Sequence, residues 1–168
     1  ATRTLYYIWE HMVTWSEDVL RVNLLLNHAT HRADVYSYSP YEGRLDLKIK
    51  SKCGKILIHA PEWVEQDSDA LSVCVNGKER AHAWEGRYVC VGSGNPDDTV
   101  VMTYPMTGYM IKEQLGDGIY TLTLKGNTVI DINPPGRHCP LYQRAHYREE
   151  RVRWRKIQRF VAEEGLRW

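Results

Sequence analysis

Residues 59 to 106 decide the fold, and they read HAPEWVEQDSDALSVCVNGKERAHAWEGRYVCVGSGNPDDTVVMTYPM. Short runs in which apolar and polar residues alternate are each closed by a turn signal, such as Asn76-Gly77 or Pro96-Asp97-Asp98. An Asn-Gly pair suits a type I′ hairpin turn because both central positions need positive φ. The stretch therefore predicts consecutive antiparallel strands, and none of its signals forms a catalytic constellation.

The same pattern extends to both sides of this stretch. Eight or nine short strands are expected after one helix, and turn signals separate them at regular spacing. The predicted strands are one beginning near Val19, then 35–38, 44–50, 55–60, 71–75, 88–91, 99–104, 120–124 and 128–132. Residues 152–156 are a candidate for one additional strand. This pattern predicts a mainly β protein, an antiparallel two-sheet sandwich of jelly-roll type.

The chain opens with a helical pattern. Leu5, Ile8, Trp9, Met12 and Val13 recur at helical spacing, which predicts an amphipathic helix from Thr2 to about Trp15. An apolar stripe of this kind must be covered by another surface, so self-association through the helix is one expectation. The predicted organisation is a helix within 1–16, a sandwich domain over 17–136 and a basic extension over 137–168 that packs on the sandwich.

The charge of the chain is unevenly distributed. The formal net charge is +1, and residues 137–168 contribute +5, which leaves −4 on residues 1–136. A basic end with interleaved aromatic residues leaves nucleic-acid binding open as an alternative. Four glutamates interrupt it, and arginine alternating with apolar residues is more typical of an edge strand, so nucleic acid is not the favoured partner.

Metal-binding and catalytic motifs are weak in this sequence. Cys53, Cys74, Cys90 and Cys139 are too widely spaced for a zinc knuckle, and the histidines of separate loops lack ligand spacing. Adjacent acids such as Asp97-Asp98 point to opposite sides of a strand and make a poor acid and base pair. No apolar run is long enough for a membrane span, and reduced thiols favour a cytoplasmic location without a membrane partner.

Aromatic residues near predicted turns are the remaining candidates for a binding site. Tyr41, Trp84 and Tyr88 could stack on the face of a sugar ring. The alternative is that they cover the ends of the sandwich core, as aromatic residues at strand ends commonly do. Carbohydrate binding by a stand-alone sandwich therefore stays open beside a purely structural role.

A resemblance to a known family rests on the order of several motifs. Pro61-Glu62-Trp63, Val75-Asn76-Gly77, Gly86-Arg87-Tyr88 and Pro105-Met106 resemble, in order and spacing, the C-terminal β-sandwich region of glycoside hydrolase family 127, the β-L-arabinofuranosidases. The opening residues 1–7 resemble the helix that ends the α/α barrel of that family. His59 stands where relatives usually carry arginine.

The resemblance implies that the catalytic groups lie elsewhere. In the family, a cysteine nucleophile sits with other cysteines and a glutamate around zinc in the barrel, where metal coordination keeps the thiol deprotonated. No Cys-Cys pair occurs in this chain, so no catalytic residue, no metal ligand and no cofactor are assigned to it. The expected partner is an upstream α/α-barrel catalytic domain, with zinc bound only there, and the expected ligands of the whole enzyme are plant-type oligosaccharides.

Overall fold

A computed structural model of the chain describes residues 2–66 and 70–135. The elements in chain order are α1 (Thr2–Glu10), β1 (Val13–Ser16), β2 (Val19–Val22), β3 (His28–Ala29), β4 (Ala33–Ser37), β5 (Arg44–Ile49), β6 (Cys53–His59), β7 (Ser72–Val75), β8 (Lys78–Glu79), β9 (Ala83–Glu85), β10 (Tyr88–Gly94), β11 (Thr99–Thr103), β12 (Gly108–Leu115), β13 (Gly118–Lys125) and β14 (Thr128–Asn133). The mainly β prediction is confirmed. The predicted strand at 152–156 and the extension 137–168 lie outside the described residues.

The described chain forms two compact units. The first, residues 2–37 and 44–104, holds a five-stranded sheet in the order β1-β2-β6-β10-β9 and a six-stranded sheet in the order β3-β4-β5-β11-β7-β8. Neighbouring strands are antiparallel except β2 and β6, which run parallel. The second unit, residues 38–43 and 105–135, holds the antiparallel sheet β12-β13-β14.

The core of the first unit lies between its two sheets. Alternating residues of the central strands are fully or almost fully buried, as expected for a sandwich in which each sheet turns one face inward. These buried residues include Leu20, Val22, Val35, Leu45, Leu47, Ile49, Ile56, Ile58, Val73, Val89, Val91, Val100 and Met102. The two-sheet sandwich predicted from the alternation is thus the fold of this unit.

The predicted turn at Asn76-Gly77 is present between β7 and β8. Both residues have positive φ, 52° and 77°, as a type I′ turn requires. The Asn76 side chain donates to Asp98 Oδ1 at 2.8 Å and accepts from the Thr99 backbone N–H at 2.9 Å. The turn is therefore fixed to the segment that enters β11.

The helix is shorter than predicted. It ends at Glu10, and Val13 and Trp15 belong to strand β1, so the prediction of a helix to Trp15 was wrong. The Asn23 side chain donates to the His11 carbonyl at 2.7 Å, and its backbone N–H donates to the Met12 carbonyl at 2.8 Å. These bonds, together with pairing of β1 on β2, hold the chain in an extended conformation where helical spacing alone suggested another turn.

Candidate functional site

Tyr88 lies on the outer face of the five-stranded sheet. It pairs with His59 on β6, and the two rings meet edge to face with centroids 5.2 Å apart. The Tyr88 hydroxyl donates to Asn23 Oδ1 at 2.8 Å. Two neighbours thus fix the orientation of this half-buried ring, which is compatible with either a structural or a binding role.

The same face carries a surface ion pair beside Tyr88. Lys55 on β6 contacts Glu85 on β9, and Glu85 pairs with Tyr88 across the strands. The hydrogen bond between the two side chains raises the pKa of Lys55 and lowers that of Glu85. Both groups are therefore charged at neutral pH, which suits a solvated face better than proton transfer.

Trp84 lies on the opposite face of that sheet. It pairs with Val89, which is fully buried, whereas Tyr88 pairs with Glu85. Because successive residues of a strand point to opposite faces, Trp84 points to the side of the core at the open edge of the sheet. The structure therefore does not bring the predicted sugar contacts Trp84 and Tyr88 onto one surface.

Tyr41, the third predicted sugar contact, belongs to the other compact unit. It lies in the turn between β4 and β5, where its backbone N–H donates to the Tyr38 carbonyl at 2.9 Å, and its side chain is half-buried. Sugar contact by each of these three aromatic residues stays a prediction.

Arg87 has a role that sequence reasoning missed. Its guanidinium donates to the carbonyls of Pro61 and of Val64, the latter at 3.1 Å, and lies 6.0 Å from the centre of the Trp84 ring. Gln66 Nε2 also donates to the Gly86 carbonyl at 2.7 Å, so the loop after β6 is tied to the turn between β9 and β10. The sequence did not signal this contact, because the two carbonyls lie 23 and 26 residues before Arg87 along the chain.

Burial and Arg87 together affect His59, the last residue of β6. Desolvation, and to a smaller extent the positive charge of Arg87, lower the pKa of the imidazole below its ordinary value of 6.5, against a weaker opposing effect of Glu62. The ring is therefore neutral at neutral pH.

An open groove of about 660 Å³ lies where the chain passes from one sheet to the other. Strand β8 borders the six-stranded sheet, β9 borders the five-stranded sheet, and residues 80–82 connect them. We call this the edge groove; its lining residues are Leu71, Ser72, Val73, Glu79, Arg80, Ala81 and His82. The groove combines charged, polar and apolar groups within one unit of the molecule.

Arg80 and His82 position the walls of the edge groove. The Arg80 backbone N–H donates to the Val73 carbonyl at 2.8 Å, and its guanidinium donates to the Ser93 carbonyl of β10 at 3.3 Å, so this residue links the two sheets. The His82 imidazole lies edge-on to Trp84, with ring centroids 6.2 Å apart. Trp84 thus adjoins the groove without lining it.

A smaller cavity, of about 150 Å³, lies beside Trp15 at the other edge of the five-stranded sheet. The Arg32 guanidinium sits 4.3 Å from the centre of the Trp15 ring. Because the cation covers this aromatic face, the ring offers less surface for stacking with a ligand.

Asp98 and His28 are held in structural contacts, and Cys53 is buried. Asp98 accepts from Asn76 and from the Asn95 backbone, which lowers its pKa, and burial raises the pKa of the Cys53 thiol. His28 is 8% exposed and packs edge-on against Trp9.

Within residues 2–66 and 70–135, no three metal-binding side chains converge on one site, while Cys139 lies outside these ranges. In the same ranges no helix is both long and apolar enough to cross a membrane.

Comparison with known proteins identifies the fold. No protein-family model matches this sequence, and no curated protein matches it. Among solved structures, the GH127 β-L-arabinofuranosidase of Geobacillus stearothermophilus T6 is similar to the chain, with a TM-score of 0.53 and 17% identity over 76% of the chain. A GH127 β-arabinofuranosidase with a TM-score of 0.51 and 17% identity over 71% of the chain, and a glycoside hydrolase with a TM-score of 0.54 and 18% identity over 76%, are also similar.

This chain has the fold of a region of the GH127 β-L-arabinofuranosidases. It spans 22–23% of the length of the three solved chains. The resemblance inferred from the order of turn motifs is thereby confirmed for the fold.

Proposed function

We propose that this chain is a non-catalytic β-sandwich region of a glycoside hydrolase, and that it supports a helical catalytic barrel. The observation that carries the proposal is the similarity of its fold to less than a quarter of each GH127 structure. The rest of each of those two chains lies outside the part that is similar to this one.

The length and the exposed face of helix α1 favour a helical barrel as the partner of this chain. Its nine residues fall short of the roughly 12–15 that an isolated helix needs for marginal stability, so tertiary packing must stabilise it. Yet Leu5 and Ile8 are 65% and 44% exposed, and Trp9 stays 46% exposed despite its contact with His28. A second helical surface that covers this stripe would supply the missing packing, as neighbouring helices do in helical barrels and bundles.

The experiment that tests this proposal is an activity assay of the purified 168-residue chain. With 4-nitrophenyl β-L-arabinofuranoside, and with zinc present or chelated, we expect no hydrolysis above the rate in buffer. We expect the same absence of hydrolysis in three cysteine variants, Cys53→Ala, Cys74→Ala and Cys90→Ala. Zinc-dependent turnover that persists through a second purification and is lost in one cysteine variant would overturn the proposal.

A further inference from the structure

We propose that the edge groove binds one or two units of a neutral saccharide. Its volume of about 660 Å³ falls within the range of small-molecule clefts, roughly 300–1,000 Å³. This inference does not depend on the supporting role, since a sandwich could bind a sugar whether or not it braces a barrel.

The polar lining of the groove matches the hydrogen-bonding needs of sugar hydroxyl groups. The Glu79 carboxylate is an acceptor, and the His82 imidazole can donate and accept. The Ser72 hydroxyl is already hydrogen-bonded to Thr103 Oγ1 at 2.6 Å, so it contributes at most one further hydrogen bond. Each sugar hydroxyl is itself both a donor and an acceptor, so a mixed lining can satisfy several of them at once. A purely apolar ligand would leave these groups unsatisfied.

Charge favours a neutral ligand over an anion. The negative charge of Glu79 offsets the positive charge of Arg80, and the Arg80 guanidinium already donates to the Ser93 carbonyl. A carboxylate or phosphate placed in the groove would meet the repulsion of Glu79. The groove therefore offers polar contacts without a net field that attracts anions.

Apolar and aromatic groups complete the complementarity to a sugar. Leu71 and Val73 are only 4% and 1% exposed, so the exposed Ala81 supplies the apolar surface of the lining. The His82 ring meets the edge of Trp84, so aromatic surface continues from the groove to the margin of the sheet. The C–H face of a sugar ring gains dispersion and releases water on such a surface.

The test is a titration of the full 168-residue chain, followed by two-dimensional NMR of its amide and indole N–H groups. The neutral probes are L-arabinose, arabinobiose and xylobiose; D-galacturonate and inorganic phosphate are the anionic probes. We expect saturable shifts at residues 79–82 and at the Trp84 indole with a neutral probe, at a Kd of about 1 mM, and none with the anions.

Variants locate the site. His82→Ala should raise the Kd for the neutral saccharide roughly tenfold, which corresponds to about 1.4 kcal/mol. Glu79→Gln should also raise this Kd. His31→Ala, at the distant edge beside Trp15, is the matched control and should bind as the parent does. If His82→Ala does not give a native spectrum, Glu79→Gln decides alone.

Three results would overturn the proposal. They are the absence of saturable shifts with every neutral probe up to ~50 mM, binding of the anionic probes alone, and unchanged affinity in both groove variants. None of these results bears on catalysis, so the proposed supporting role is tested independently by the activity assay.

Discussion

The Tyr104 hydroxyl is buried without a hydrogen-bond partner among the described residues. The side chain is 6% exposed, and burial raises the pKa of the phenol to about 12. A buried donor that lacks a partner costs about 1–3 kcal/mol. We expect Tyr104→Phe to raise the free energy of unfolding by about 1 kcal/mol at pH 7, measured by urea denaturation.

Tyr88→Phe is the matched control for this substitution. It removes a hydroxyl that donates to Asn23, so it should lower the free energy of unfolding by about 1 kcal/mol. Because the folded pKa of Tyr104 exceeds its ordinary value of 10, the parent should also lose stability as pH rises from 10 towards 12, and the Phe variant should lose less. A Tyr104→Phe chain less stable than the parent would contradict this account.

His59 makes stability depend on pH near neutrality. Burial, followed by the charge of Arg87, places its folded pKa below the ordinary 6.5, so the unfolded chain binds more protons between these two values. The free energy of unfolding should therefore fall as pH decreases through 6.5. His59→Gln should flatten this part of the curve, measured from urea midpoints between about pH 5 and pH 8. Equal slopes in the two proteins would refute the assignment.

At the scale of elements, the Asn76-Gly77 turn joins two parts of the six-stranded sheet. Asn76→Ala removes both hydrogen bonds to the Asp98-Thr99 segment, and it replaces a residue that tolerates positive φ. We expect it to lower the free energy of unfolding by about 1–2 kcal/mol. Thermal unfolding measures the loss. Asn127→Ala, in an exposed turn with one weak side-chain contact of 3.4 Å, is the control and should cost less than about 0.5 kcal/mol.

The same variant should change the response to acid. The Asn76 hydrogen bond is the main reason that the pKa of Asp98 is low, so this contribution to stability is present above the ordinary value of 3.8 and is lost as pH falls through and below it. In Asn76→Ala the loss should be smaller. If the stability of the variant falls with decreasing pH as steeply as that of the parent, the Asn76 side chain does not lower the pKa of Asp98.

The alternation of apolar residues predicted most strands but not every boundary. Strand β1 was missed because its pairing with β2 depends on a hairpin turn at Glu17 and Asp18, which adopt positive φ without a glycine to signal it. Strand β12 was missed because Tyr109-Met110-Ile111 interrupts the period of two. Each of these strands is stabilised by pairing with a neighbouring strand, and the local alternation of residues does not reveal that pairing.

The positions of the candidate aromatics could be predicted in part. Trp84 and Tyr88 are four residues apart, a spacing that would put them on one face of a continuous strand. The turn at Gly86 and Arg87 reverses the chain, and the register then sets Glu85 opposite Tyr88 and Trp84 on the other face. The edge groove depends on how two sheets meet at their margins, which no single run of residues encodes.

At the scale of the molecule, the exposed stripe of helix α1 is the feature that most requires a partner. Leu5 and Ile8 are 65% and 44% exposed on a helix that is too short to be stable alone. Burial of two such side chains contributes about 1.5–3 kcal/mol each. In the absence of a barrel, a second copy of the chain is the surface available to cover them.

Light scattering of the purified 168-residue chain over a range of concentrations tests this central claim most directly. We expect the mass to rise with concentration in the parent chain. In the Leu5→Lys, Ile8→Lys double variant it should stay at that of a monomer. Met110→Lys, on a residue of β12 that is 72% exposed, should associate like the parent. A parent chain that stays monomeric throughout, or a double variant that associates as strongly as the parent, would contradict the claim that this helix is an interface.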